Sequence, residues 1–162
     1  MRPVTRAPLY APRASASLRA TNRMQRTFAI IKPDAVAAGH QGGILAAIQE
    51  AGLRLVAIKA IRLSTAQAEG FYAVHSARPF FRSLVTFMTE GPVVAMVLEG
   101  EDAIARWRGL MGPTDATKAG KETLRGRYGT SIERNATHGS DAPETAAYEI
   151  GFFFSGLELA GL

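Results

Sequence analysis

The chain has 162 residues, 47% apolar and 20% charged, with no cysteine and a formal net charge of +5. That length suits one domain with a real core. No apolar run reaches the roughly 18 residues of a membrane span, and no secretory core of about 7 apolar residues stands near the start. Disulfides and thiolate metal sites are excluded, which agrees with a reducing compartment.

The basic charge suggests a nucleic-acid partner until it is located. Arg2, Arg6, Arg13, Arg19 and Arg23 account for all of it, because residues 1–23 hold no acid. Of 19 basic residues, 14 remain in 24–162, against 14 acids. The body therefore has no whole-domain basic footprint.

Residues 1–23 read as a basic, disordered extension, and residues 24–162 as the domain. Pro3, Pro8 and Pro12 break any early helix. An upstream start codon, with the natural chain beginning at Met24, explains the extension. A transit peptide rich in Arg, Ala and Ser is the alternative.

From Met24 the pattern becomes regular. Thr27 to Lys32 is a short β-branched and aromatic run stopped by Pro33-Asp34, a buried strand. Gly42-Gly43 opens a helix with Ile44, Leu45 and Ile48 on one face, closed by Gly52. Leu53 to Leu63 alternates Leu53, Leu55, Ala57 and Lys59 against Arg54, Val56, Ile58 and Ala60, a long strand. Ser64 or Thr65 caps a helix over 65–73. Arg78-Pro79 breaks the chain, and 80–89 is helical. Val93 to Leu98 is a second buried strand, and Asp102 to Met111 a helix. Gly112 to Tyr128 is polar and irregular, part of a long loop at 112–130 that is unusual unless functional. A short fourth strand fits near 134–138. Asp141-Ala-Pro143 starts a last helix ending at Gly151.

This order predicts an α+β fold of the ferredoxin-like split βαβ type, a four-stranded antiparallel sheet with helices packed on it. The fold class alone carries little function.

Chemistry concentrates in Arg134-Asn135-Ala-Thr-His138-Gly139-Ser140-Asp141. Gly139 is expected to let the backbone turn beside the imidazole. Ser140 or Asp141 is expected to cap the next helix, whose N-terminus favours anions. Glu149, further along that helix, can return to hold one ring nitrogen and free the other to attack. His40 and His75 lack such company; His40 reads as structural. No His pair has metal-ligand spacing.

A second set is basic: Arg108, Lys118, Lys121 and Arg125 around the loop, with Thr114 as a hydroxyl donor and Lys32 at the end of the first strand. Guanidinium groups suit phosphate because they give two parallel charged hydrogen bonds. Lys118 and Lys121 read as ordinary surface charge. There is no Walker-type glycine loop. Tyr72, Phe80 and Phe81 form a third set. One phenylalanine of the pair packs in the core, and the other can stack on a base.

Together these sets resemble the nucleoside diphosphate kinase family over residues 26–158. Asn135-Ala-Thr-His138-Gly-Ser-Asp141 looks like its active-site motif. Thr27 to Asp34, Arg78-Pro-Phe-Phe81, Gly91 to Met96, the Gly-Pro-Thr-Asp loop and the ending near Phe154-Ser-Gly-Leu match in order. The resemblance implies transfer of the γ-phosphate of a nucleoside triphosphate, mainly ATP, to a diphosphate. The transfer would be ping-pong, with His138 accepting the phosphate on its pros nitrogen. Ser140 and Glu149 would support the ring. Lys32, Tyr72, Arg108, Thr114 and Arg125 would contact phosphates, with Lys32 also near the ribose. Asn135 would bind the sugar hydroxyls, and Phe80 and Ile132 would sandwich the base, giving low base selectivity. Mg2+ would bridge the nucleotide phosphates with little direct protein ligation.

A cytoplasmic homo-oligomer, tetramer or hexamer, is implied, in an organellar matrix if 1–23 is a transit peptide. No membrane or nucleic-acid partner is expected. The alternatives are a catalytically silent scaffold and an RNA-binding ferredoxin-like protein, although no RNP-type aromatic pair is present. Three departures from the family pattern stand out: the extension 1–23, Gly120-Lys-Glu-Thr123 before Leu124-Arg125, and Arg127 where an acid is common.

Overall fold

The computed structural model describes residues 24–160, so the expectation for 1–23 lies outside the described residues. β1 (Met24–Ile31) is followed by α1 (Pro33–Ala37), α2 (Gln41–Glu50) and β2 (Arg54–Ile61). Then come α3 (Thr65–Phe71), a 3-10 turn (Ala73–His75), α4 (Phe81–Thr89) and β3 (Val93–Glu101). α5 (Ala103–Met111), a second 3-10 turn (Ala116–Lys118), α6 (Leu124–Tyr128), β4 (Thr137–Gly139), α7 (Pro143–Phe153) and α8 (Gly156–Leu159) complete the chain.

The four strands form one antiparallel sheet in the order β2-β3-β1-β4, the ferredoxin-like arrangement. The second half of β1, Thr27–Ile31, is buried on both faces, which is why Phe28 to Ile31 reads as a continuous apolar run. Phe28 and Ile30 join Phe71, Leu84, Phe87 and Phe153 on one side. Ala29 and Ile31 join Ile44, Ile48, Trp107 and Leu124 on the other.

Several boundaries differ from the sequence reading. β3 continues to Glu101 and β1 begins at Met24, because the two pair with each other along their polar ends. There the guanidinium of Arg26 donates to Glu99 at 2.8 Å. Pro33 ends β1 but also occupies the first turn of α1, where its missing N–H costs nothing. α7 runs on to Phe153, past Gly151, and the short α8 lies beyond it. The stretch 112–130 is less irregular than expected, since α6 lies within it, capped by the Thr123 hydroxyl.

β2 does not alternate in one phase. A bulge between Leu55 and Ala57 inserts Val56. Leu53 and Leu55 face one core, while Val56, Ala57 and Ile61 face the other. One extra residue exchanges the faces, as the twofold side-chain period requires.

Candidate active site

β4 is only three residues long, but it pairs with the central strand: Ile31 opposes Thr137, Ile30 opposes His138 and Ala29 opposes Gly139. The sheet thereby fixes the height of His138 next to Lys32, which follows β1. The turn before β4 is tightly held. Ala136 has φ of 66°, uncommon for a residue with a side chain. Its N–H donates to Asp34 Oδ2 at 3.0 Å and its carbonyl accepts from the Lys32 N–H at 2.9 Å.

The His138 ring is part-buried and lies edge-on to Phe28, Phe71 and Tyr72. Its Nε2 stands 3.0 Å from Glu149 Oε1. The other oxygen of Glu149 accepts from Ser140 Oγ at 2.5 Å. Ser140 Oγ in turn accepts from the Phe28 N–H at 3.2 Å. A carboxylate has no proton to give, so Nε2 carries it and the lone pair of the neutral ring falls on Nδ1.

Ser140 and Asp141 do not cap α7, contrary to the sequence reading. Ser140 is committed to Glu149 and Phe28, Asp141 accepts from Thr145, and the N-cap residue is Ala142. The first turn of α7 does not line the cleft beside His138.

Gly139 is required for a different reason from the one expected. It does not take a left-handed conformation. A Cβ there would lie 2.4 Å from the Trp107 indole and 2.7 Å from Met111 Cε. The same indole donates to the His138 carbonyl at 3.1 Å. Gly139→Ala is therefore expected to destabilise the fold by about 1–3 kcal/mol through overpacking. Chemical denaturation would measure this.

His138 opens on a cleft of about 430 Å³. Lys32, Tyr72, Phe80, Arg108, Thr114, Arg125, Ile132 and Asn135 line it as well. Ser140 and Glu149 stand behind the imidazole instead. Lys118 and Lys121 are outside it: Lys118 pairs with Asp115, and Lys121 donates to the Gly126 carbonyl. His75, Leu84 and Glu133 also line the cleft and were not singled out as site residues by sequence. His75 sits one 3-10 turn beyond Tyr72 and stacks on it. Glu133 resembles any polar loop residue, and only its place inside the Ile132–Asn135 run marks it.

The cations are preorganised. Lys32 Nζ donates to Asn135 Oδ1 at 2.7 Å. Burial, then the charge of Arg125, lowers the Lys32 pKa to about 8, while Asp34 and Glu133 oppose the shift. Arg125 donates to the carbonyls of Gly112 and Thr137, and its Nε is buried without a partner among the described residues. Burial and the nearby Arg108 lower its pKa to about 10. The Tyr72 hydroxyl is buried and unpartnered among the described residues. Burial, then Glu149, pushes its pKa upward. Desolvated cations and an orphaned hydroxyl around one cleft favour a polyanion.

The Gly120–Thr123 departure is braced locally. Thr123 donates to the Gly120 carbonyl at 2.7 Å and caps the helix that carries Arg125. Arg127 donates to the Tyr128 hydroxyl and does not line the cleft. Of the aromatic pair, Phe81 packs on the core, whereas Phe80 is 48% exposed at the cleft.

A family profile described as nucleoside diphosphate kinase matches residues 25–159. The nucleoside diphosphate kinase of Desulfovibrio desulfuricans is 62% identical over 85% of this chain and 99% of that protein. That of Syntrophotalea carbinolica is 60% identical over 84% and 99%. Among solved structures, the Aquifex aeolicus enzyme matches with TM-score 0.83 and 48% identity, covering 85% of this chain and all of that one. The Halobacterium salinarum enzyme, solved in complex with CDP, matches with TM-score 0.82 and 42% identity, covering 86% and 93%.

Proposed function

The chain belongs to the nucleoside diphosphate kinase family, enzymes that transfer phosphate between nucleotides, and from that premise we propose that it works through a phosphohistidine on Nδ1 of His138. The observation that carries this reading is the His138–Glu149–Ser140 chain facing a cationic cleft. Nε2 is tied back, so Nδ1 is the nitrogen able to attack.

In the first half-reaction Nδ1 attacks the γ-phosphorus of ATP or another triphosphate. The N–P bond forms, the bond to the bridging oxygen breaks, and the diphosphate leaves. A second diphosphate then takes the phosphoryl group by the reverse displacement at the same site. Lys32, Arg108 and Arg125 neutralise the charge that spreads over the phosphate oxygens, and Thr114 and Tyr72 add hydroxyl donors. Glu149 stabilises the ring as it gains positive character.

Phe80 and Ile132 grip the base by its faces, which do not report its hydrogen-bonding edge. Low base selectivity follows. The cleft's lining of cations and hydroxyls suits a nucleotide whose phosphates carry Mg2+. The protein would hold it only through the phosphates, where it would neutralise charge. We also read the chain as a homo-oligomer, a tetramer or hexamer. Half-exposed Ile58 on edge strand β2 and exposed Val74 support this, and light scattering tests it. A cytoplasmic setting rests on the bacterial relatives, and N-terminal mass analysis of the native protein tests it.

The test of the mechanism is chemical. Incubation with γ-labelled ATP and Mg2+ should leave an acid-labile, base-stable phosphate on the protein. GDP or CDP, added to the isolated phosphoprotein, should then remove it. Transfer that requires donor and acceptor to be present together would overturn the ping-pong reading.

A further inference from the structure

Two residues before His138 the backbone takes a costly shape. The Thr137 N–H donates to the Asn135 carbonyl at 2.7 Å, closing a three-residue turn around Ala136, whose φ is 66°. Such turns with positive φ are rare and strained, and a residue with a Cβ keeps one only where its surroundings impose it. Released, Ala136 would relax toward negative φ. The peptide planes on either side would rotate with it. Asn135 and His138, which flank the turn and both line the cleft, would then lose their common aim.

The segment Lys32–Asp34 imposes the turn. The Lys32 N–H donates to the Ala136 carbonyl at 2.9 Å, and Asp34 Oδ2 accepts from the Ala136 N–H at 3.0 Å. Both backbone polar groups of Ala136 are thus held. The first bond is backbone to backbone and asks little of the residue type. The second needs an acceptor at the end of a side chain of one length. Asp34 stands in the first turn of α1, where an acid is locally favourable, yet its carboxylate reaches a residue 102 positions away. Its Oδ1 meanwhile is buried with no hydrogen bond among the described residues. An acceptor left so costs stability, and the bond to Ala136 is what the placement secures in exchange.

We infer that Asp34 is a positioning residue, which holds Ala136 in its left-handed conformation and thereby aims His138 and Asn135 at the nucleotide. The inference deepens the function proposed above and rests on that reading for what His138 does. Asp34 does not line the cleft, so it acts through the turn and not on the substrate.

The experiment measures the single-turnover rate of phosphoenzyme formation from ATP and Mg2+. It is run near pH 7, below the Lys32 pKa of about 8, so that the charge of Asp34 on Lys32 weighs little. Asp34→Ala should slow the step about 10- to 100-fold. ATP affinity should change only a few-fold, because Asn135 keeps its bonds to the Thr114 and Ile132 carbonyls. Asp34→Asn, which keeps an acceptor at the same reach, should retain most of the rate. Asp34→Glu, which keeps the charge at the wrong reach, should not. Glycine takes positive φ without a Cβ penalty, so in an Ala136→Gly background Asp34→Ala should cost no more than about 3-fold. A parental rate in Asp34→Ala overturns the inference. So does an equal loss in both backgrounds, or a loss in Asp34→Asn as large as in Asp34→Ala, which would leave the charge of Asp34 as its contribution. Should Asp34→Ala fail to fold, the Asn and Glu variants and the Ala136→Gly background decide the question. If the parent takes up no phosphate, the phosphohistidine reading fails instead. The NMR signals of the His138 ring then test the positioning without chemistry: Asp34→Ala should shift them and added Ala136→Gly restore them, and unmoved signals overturn the inference.

Discussion

Replacing His138 with alanine is expected to lower phosphotransfer by about 10⁴-fold or more, with nucleotide affinity changed only a few-fold. Removing a nucleophile forfeits the covalent route entirely, and the residual rate comes from positioning and electrostatics alone. The cations that would bind phosphate do not hydrogen-bond to the imidazole: Lys32 is held by Asn135, and Arg125 by two carbonyls. Affinity should therefore survive the loss of the ring. The variant should also take up no acid-labile phosphate, and a variant that labels like the parent would end the phosphohistidine reading. Glu149→Gln should fall between these limits, about 10²-fold slower. An amide presents either an oxygen or an NH2 to Nε2, so the ring is no longer confined to the tautomer that leaves Nδ1 free.

Lys32→Met is expected to lower kcat/KM about 100-fold at neutral pH, the scale of a charged hydrogen bond lost from a buried site. It should also erase a pH dependence. With a pKa lowered to about 8, Lys32 sheds its proton as pH rises through that value in the free enzyme. For the parent, kcat/KM should decline above pH 8, and the decline in kcat should lie at higher pH, because bound phosphates favour the ammonium. The linkage to stability has a definite sign. Between about pH 8 and 10.5 the unfolded chain binds this proton and the folded chain does not. Stability of the nucleotide-free protein therefore gains a rising contribution across that window. The difference in stability between parent and Lys32→Met, followed by denaturation against pH, should carry that slope. A parent profile that stays flat through pH 9 would remove Lys32 from its assigned role.

What was legible in the sequence follows from where the information is local. Phe28 to Ile31 and Val93 to Leu98 are apolar throughout because both faces of their strands are covered there. Ser64 marks the start of α3 because its hydroxyl accepts from the Gln67 N–H. The polar ends of β1 and β3 carry no such mark; only their mutual pairing makes them strand. The bulge at Val56 is likewise set by the partner strand. α6 is five residues long, too short for a helical period, and its cap and the burial of Leu124 and Arg125 define it.

The site follows the same logic. His138, Ser140 and Asn135 announce themselves by proximity in sequence, and Glu149 by helical return. The reason given for Gly139 was local and mistaken. Its real constraint is an indole thirty-two residues earlier in the chain, which no window around the motif contains. Glu133 was missed because what ties it to the cleft wall is Ser83, distant in sequence.

The indole that excludes a side chain at Gly139 belongs to the only tryptophan in the chain. It is fully buried and hydrogen-bonded to the main chain of His138 itself. The protein thus has an intrinsic fluorophore wired to its proposed nucleophile, with no second indole to blur the signal under excitation that tyrosine does not absorb. Addition and removal of the phosphoryl group become events that stopped-flow emission can time on unlabelled material.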